Sequence, residues 1–203
     1  MQNELAAPSN PIAGLASHPL VRASAWLRIP AIVLAGSALV AVCARIALPL
    51  YFTPVPLTLA PFATLLLGLL LRPRLAAATL GAYLAEGAIG LPVFAPGSLP
   101  AGGLTHLLGP TGGYLLAYPL AAALISVLWR RTGRGFTAAA FSAAAGNLTI
   151  LACGALWLTV LTHASVSTIV SLAVLPFLPG DALKVVAAAA VAAGLVRLRR
   201  HTA

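Results

Sequence analysis

Charged residues are scarce in this sequence. Of its 203 residues, 7% are charged, three are acidic and one is a lysine, whereas 61% are hydrophobic. A soluble domain carries about 25% charged residues, because it has to cover a water-facing surface. This chain cannot do so, and its apolar runs are long enough to cross about 30 Å of hydrocarbon. The composition therefore indicates an integral membrane protein.

Patterns that mark catalytic, nucleotide-binding and metal sites are also missing. The sequence has no CxxC, HExxH or Walker A pattern and no candidate catalytic triad. Cys43 and Cys153 both lie in apolar runs, where small packing residues are a better interpretation than a disulfide or a metal pair. We expect no catalytic residue, no metal or cofactor, and no ATP hydrolysis by this chain.

The formal net charge of +9 comes from arginines that fall in short clusters between the apolar runs. Such clusters are typical of topology signals in membrane proteins. A basic groove with interleaved aromatic residues is absent, so nucleic acid is not an expected partner, whereas membrane lipid is.

Six apolar runs divide the chain, at residues 27–48, 57–71, 75–89, 114–129, 136–161 and 181–196. Basic residues flank every second junction, and the alternate junctions have none. By the positive-inside rule, this pattern predicts an all-α integral membrane protein with six transmembrane helices and both termini cytoplasmic. We expect residues 1–25 to form a cytoplasmic tail and 26–200 a membrane domain that binds a substrate. Residues 162–180 are apolar only from Ile169 to Leu178, which is too short to span, and they are interpreted as a re-entrant or capping segment.

Four charged residues lie within or at the ends of these runs, and the topology places them at a similar depth, near the outer side: Arg45, Glu86, Asp181 and Lys184. An ionisable residue in a membrane span is a candidate functional site. Asp181 and Lys184 share a helix face at i and i+3. They form either a helix N-cap with a local ion pair, or one edge of a pocket. In a pocket, Asp181 would accept from ligand N–H groups and Lys184 would attract a carboxylate or carbonyl oxygen.

The other polar residues of the spans have two interpretations each. Arg45 and Glu86 are expected to form a structural ion pair between the first and third spans, with direct ligand contact as the alternative. Asn147 makes either an interhelical hydrogen bond or a ligand contact. Trp157 belongs either to the interfacial aromatic belt or to a pocket wall.

The outer loops are rich in glycine, proline, threonine and aromatic residues. The loops supply hydroxyls, flat apolar surface and a glycine where a ligand can come close to the backbone, at Thr53, Phe94, Gly113 and Tyr114. This mixture suits a small ring compound with a few polar edges. His106 is interpreted as an ordinary loop histidine rather than a ligand contact.

Small residues recur at spacing four in the first run, at Ala31 and Ala35. This spacing lets another membrane helix approach closely, either within the chain or from another protein.

Several stretches in order resemble the BioY family, the biotin-binding S-components of energy-coupling-factor (ECF) transporters. They are residues 54–58 (PVPLT), 87–94 (GAIGLPVF), 109–114 (GPTGGY) and 179–184 (PGDALK), with Ile150, Gly154, Trp157 and Leu158 between the last two. The resemblance implies a six-helix subunit of the bacterial inner membrane that captures biotin from outside with high affinity. It implies that Asp181 and Lys184 contact biotin and that Ala31 and Ala35 face a coupling subunit.

The resemblance also implies partners, namely a transmembrane coupling subunit with ABC-type ATPases, or a homo-oligomer if the protein works alone. The alternatives are an S-component for another small vitamin, or an intramembrane enzyme or a membrane assembly factor, which need not bind any vitamin.

Overall fold

The computed structural model describes residues 19–97 and 102–201, with side chains from 27 to 97 and from 102 to 199. Residues from Val33 onwards form one compact unit, and those up to Ile32 are grouped separately. Most of the predicted tail, residues 1–18, lies outside the described residues. Residues 19–25 belong to the first helix, so the helix begins before the expected boundary at 26.

The described residues form helices, with one two-stranded ladder. The helices are α1 (Pro19–Arg45), α2 (Ala60–Leu70), α3 (Pro73–Ala88), α4 (Leu104–Leu108), α5 (Gly112–Arg131), α6 (Phe136–Thr162), α7 (Val166–Ala173) and α8 (Leu178–His201). The strands are β1 (Ala47–Leu48) and β2 (Leu57–Thr58), which pair in antiparallel register. A 3₁₀ turn, Leu175–Phe177, joins α7 to α8.

Each of the six predicted runs coincides with a helix, although the lengths differ. Among the described residues, four stretches are long and apolar enough to cross a membrane: Leu27–Arg45, Gly112–Arg131, Phe136–Thr162 and Val166–Arg199. The helix α2 has 11 residues, which at 1.5 Å per residue is about 16 Å and too short to cross alone. The mostly helical membrane class is confirmed, and the count of six spans stays a prediction.

The segment between α6 and α8 is a short helix followed by the 3₁₀ turn. The helix α6 ends at Thr162 and is followed by His163, which has a φ of 52°. Ser165 caps α7 by accepting from Thr168 N at 3.3 Å. The helix α7 has 8 residues and the turn 3, so neither is long enough to cross by itself, and the re-entrant or capping role of residues 162–180 stays a prediction.

The two-residue strands were not predicted, because they are too short to show an alternating pattern. Their ladder pairs Ala47 with Thr58 and Leu48 with Leu57, and Leu59 N donates to Ile46 O at 3.1 Å next to it. The ladder closes the proline-rich loop between α1 and α2.

The helix α5 packs against α2, α3 and α6 and so occupies the centre of the bundle. Close approach depends on small residues. A Cβ added to Gly68 of α2 would lie 2.9 Å from Ile125 Cβ and 3.0 Å from the Ala122 carbonyl oxygen of α5. Because neither atom is the flexible end of a side chain, α2 and α5 would have to separate to admit it.

We predict that Gly68→Ala lowers the thermal unfolding midpoint of the purified protein, through an overpacking cost of about 1–3 kcal/mol. The matched control is Gly81→Ala in α3, where an added Cβ meets nothing within 4 Å. Since glycine disfavours a helix interior, that variant should be as stable as the parent or slightly more stable. Equal midpoints for the two variants would contradict close α2–α5 packing.

Candidate functional site

A cavity opens at one end of the bundle, beside the first turns of α5 and α8. Its empty volume is about 600 Å³, with its open mouth included. Its aromatic lining residues are Tyr83, Tyr114, Tyr118 and Phe177, and its polar ones are Thr58, His106, Thr111, Asn147, Asp181 and Lys184. An apolar pocket with a few convergent polar groups is typical of a small-molecule site.

The charged pair of the cavity is formed by Asp181 and Lys184. Lys184 Nζ lies 2.9 Å from Asp181 Oδ1, and both residues are buried. Asn147 Nδ2 of α6 donates to the other carboxylate oxygen, Asp181 Oδ2, at 3.1 Å. The carboxylate therefore joins α6 to α8 and faces the cavity, so the local ion pair and the pocket both exist.

The helix N-cap, one of the two interpretations of Asp181, is not what the structure shows. The helix α8 begins at Leu178, which places Asp181 inside its first turn. Pro179 is tolerated there, because the first turn of a helix does not need its N–H. The carboxylate accepts hydrogen bonds from Asn147 and Lys184 rather than from backbone amides at the start of the helix.

Two polar atoms of lining residues are buried without a hydrogen-bond partner among the described residues. They are Asn147 Oδ1 and Thr111 Oγ1. A buried polar group left unsatisfied costs about 1–3 kcal/mol, so a ligand that pairs with these atoms recovers that cost. The amide nitrogen of Asn147 therefore makes the interhelical hydrogen bond, and its amide oxygen remains an acceptor in the cavity lining, where contact with a ligand stays a prediction.

The segment between α6 and α8 borders the cavity through aromatic contacts. The Tyr114 hydroxyl donates to the Ala173 carbonyl at the end of α7, at 2.8 Å. The rings of Tyr114 and Phe177 lie with their centroids 6.4 Å apart. Both residues line the cavity, so the capping role proposed for residues 162–180 fits this geometry.

Phe94 and Thr53 lie outside the cavity lining. Phe94 is fully buried, packs edge-on against Tyr83 with centroids 5.5 Å apart and stacks on His106 at 4.9 Å. Gly87 leaves the space for this ring, because an added Cβ would overlap it. Thr53 Oγ1 accepts from Val55 N at 3.4 Å within its own loop. Phe94 therefore supports residues of the lining from behind.

Gly113 and Trp157 also support the site from outside the lining. Trp157 Nε1 donates to the Gly109 carbonyl at 2.9 Å, and Gly113 packs directly against the Trp157 side chain. The two residues together fix the start of α5, where Thr111 and Tyr114 enter the cavity wall.

Arg45 and Glu86 do not form the predicted ion pair. The exposed Arg45 guanidinium donates to the Pro92 carbonyl of the loop after α3. Glu86 Oε1 accepts from Ser37 Oγ of α1 at 2.8 Å. Each charged side chain therefore has its own polar partner, and neither residue lines the cavity. Of the four charges expected at one depth, the cavity gathers Asp181 and Lys184.

Sequence reasoning missed part of the lining. Tyr83 and Tyr118, whose rings are 6.4 Å apart, carry hydroxyls within apolar runs, a signal that was available. His106 is buried and lines the cavity, which corrects its interpretation as an ordinary loop histidine. Phe177 gave no signal, because its position depends on how the segment after α6 folds back.

This chain is similar to known proteins of a single family. A family model described as the BioY family matches residues 17–201. The "Probable biotin transporter BioY" of Pyrococcus horikoshii is 40% identical over 139 residues, 68% of this chain and 79% of that protein. The "Biotin transporter BioY" of Thermotoga maritima is 36% identical over 162 residues, 80% of this chain and 92% of that protein.

A solved structure is similar in fold. The crystal structure at 2.1 Å of the S-component for biotin from an ECF-type ABC transporter superposes with a TM-score of 0.77. The match covers 86% of this chain and 93% of the other, at 26% sequence identity.

We predict that Tyr114→Phe loosens α7, because the Ala173 carbonyl loses its buried donor at a cost of about 1 kcal/mol. Amide hydrogen exchange of residues 166–173 should become about fivefold faster. The control is Tyr118→Phe, on the next turn of α5, whose hydroxyl makes no hydrogen bond to α7 within the described residues. Unchanged amide hydrogen exchange in Tyr114→Phe, or an equal change in both variants, would show that the Tyr114 hydroxyl does not hold α7 in place.

Proposed function

The chain belongs to the BioY family, and we propose that it is the biotin-binding S-component of an ECF-type transporter. The observation that carries this proposal is the cavity in which Asp181, Lys184 and Asn147 converge opposite aromatic walls. The cavity lies at the PGDALK stretch of the family resemblance. Binding rather than catalysis is the proposed activity, with ATP hydrolysed by partner subunits.

The polar set fits the ureido ring of biotin. That ring offers N–H donors on either side of one strongly accepting carbonyl oxygen. Asn147 Oδ1 has no described partner, and Asp181 is a carboxylate with lone pairs beyond its described bonds, so both can accept from N–H groups. Lys184, an ammonium with further N–H donors, can donate to the carbonyl oxygen. We therefore place the ureido ring at these three residues.

The tail of biotin then points toward the loops. His106 and Thr111 line the cavity and also a smaller adjacent pocket formed by the prolines of the outer loops, so they lie where the two meet. Thr111 Oγ1 is a buried hydroxyl without a described partner, and it can donate to a carboxylate. Between the two ends, Ile150 and the tyrosine rings offer apolar contact for the thioether ring and the tail.

We predict that Asp181→Asn and Lys184→Met each lower biotin affinity about 10-fold or more, since a hydrogen bond to a charged group contributes about 1.5–3 kcal/mol. The matched control is Glu86→Gln, which neutralises the other described carboxylate, outside the cavity. Its biotin affinity should equal that of the parent. Titration calorimetry of the purified variants measures this.

Size-exclusion profiles and unfolding midpoints of the same variants show that each is folded. Parental affinity in both folded cavity variants would mean that the ion pair is structural only. A loss of affinity in Glu86→Gln as large as in Asp181→Asn would indicate an effect of charge removal rather than of the cavity.

The orientation of biotin is tested with biotinamide, whose tail carries no charge. If Lys184 holds the ureido carbonyl, Lys184→Met weakens binding of biotin and biotinamide by the same factor. Thr111→Val, in contrast, should weaken biotin more than biotinamide, because only biotin has the carboxylate. A penalty from Lys184→Met that is confined to biotin would reverse the orientation and pair Lys184 with the carboxylate.

Topology and partners complete the proposal. The arginine pattern supports six spans with both termini cytoplasmic and a cavity mouth on the outside, and the family resemblance supports the bacterial inner membrane. Ala35 is exposed on α1, and Ala31 lies one turn earlier on the same helix, so their small face is the proposed contact for a coupling subunit.

Copurification of a coupling subunit and ATPases with the tagged chain would support this arrangement, and biotin uptake by cells expressing the chain alone would indicate solitary or homo-oligomeric transport.

A further inference from the structure

A second cavity lies at the opposite ends of α5 and α8 from the first. It is formed where α2, α5 and α8 end, and has an empty volume of about 900 Å³, with its open mouth included. Its charged and aromatic lining residues are Trp129, Arg130, Arg134 and Arg199. None of the lining residues is acidic. The cavity therefore concentrates positive charge in a concave site.

The arginines are brought together by the ends of two helices. Arg130 near the end of α5, Arg134 just after it and Arg199 near the end of α8 all line the same cavity. Arg130 is also held in place, because its Nε donates to Ser126 Oγ at 3.3 Å, and Ser126 in turn donates to the Leu71 carbonyl at 2.6 Å. The side chains of Arg130, Arg134 and Arg199 are exposed, and like charges held close together favour binding of an anion between them.

The acidic side chains of the described residues are used elsewhere. Glu86 accepts from Ser37 on α1, and Asp181 pairs with Lys184 in the first cavity. Neither lies at the arginine cavity, so the counter-charge for Arg130 and Arg134 does not come from a carboxylate side chain of the described chain.

The remaining walls are apolar and lie next to exposed leucines. Trp129 is buried and closes the cavity, while Leu70 and Leu195 line it with 43% and 38% of their surface exposed. Small inorganic anions gain nothing from such walls. An amphiphile with an anionic head and acyl chains matches both the arginines and the leucines.

We propose that this cavity binds the phosphate of an anionic phospholipid headgroup, with Arg130 and Arg134 around the phosphate and the acyl chains along Leu70 and Leu195. Basic pockets between transmembrane helices on the cytoplasmic side recognise such headgroups in general. Arginine suits phosphate because its planar guanidinium can donate two parallel hydrogen bonds. The site is separate from the biotin cavity and does not depend on what that cavity binds.

The experiment compares lipid retention by native mass spectrometry, on the full chain purified in neutral detergent. Phosphatidylglycerol and phosphatidylcholine with identical acyl chains are each titrated. The parent should retain phosphatidylglycerol preferentially. Arg130→Gln with Arg134→Gln should lose that preference, by about fivefold for each arginine removed.

The matched control is Arg74→Gln with Arg197→Gln. It removes the same charge from the same end of the helix bundle, but neither residue lines the cavity, so its preference should equal the parent's. An equal loss in the control would overturn the proposal in favour of general surface charge. Absence of a preference in the parent would overturn it outright.

Two further measurements test Arg134 by itself and distinguish a lipid from free phosphate. Arg134→Gln alone leaves the bond between Arg130 and Ser126 intact and should lose about fivefold in preference. If it instead binds phosphatidylglycerol like the parent, Arg134 is not part of the site. Inorganic phosphate is added as a competitor and should displace phosphatidylglycerol only weakly; full displacement at equal concentration would overturn the lipid assignment and indicate a site for free phosphate.

Discussion

The ion pair of Asp181 and Lys184, completed by Asn147, is the constraint on which the site depends. A charge held away from water is tolerated only when it is paired and hydrogen-bonded, and here both carboxylate oxygens have a donor. One donor comes from α8 itself and the other from α6, so the carboxylate fixes the two helices together at the depth of the cavity. Asn147, whose amide oxygen has no described partner, and Lys184 both line the cavity in a defined arrangement.

The residues around that ion pair mainly hold the walls of the cavity in place. Phe94 fills the space above Gly87 and stacks on His106, while Trp157 holds the Gly109 carbonyl before α5. The Tyr114 hydroxyl holds the end of α7. These bonds tie loops, which are otherwise the mobile part of a helical bundle, to rigid helices. The loop stretches that resemble the family therefore stabilise the walls of the site as well as supplying lining residues such as Thr58 and Thr111.

Much of this arrangement was predictable from the sequence, because apolar runs and arginine clusters reflect the bilayer directly. The helices lie where the runs predicted, and the PGDALK stretch indicated the charged pair. What the sequence did not reveal depends on tertiary contact. The helix α8 begins before Asp181 because the 3₁₀ turn leads straight into it, and Glu86 meets Ser37 instead of Arg45. Local spacing carries no information on either outcome.

The central claim is that this cavity selects biotin, and a binding panel on the purified chain tests it most directly. Titration calorimetry with biotin, riboflavin and thiamine compares small vitamins with different polar edges. The account predicts saturable, tight binding of biotin at one site per chain and no measurable heat of binding for the other two. Failure of biotin to bind the folded protein, or tighter binding of either other vitamin, would contradict it.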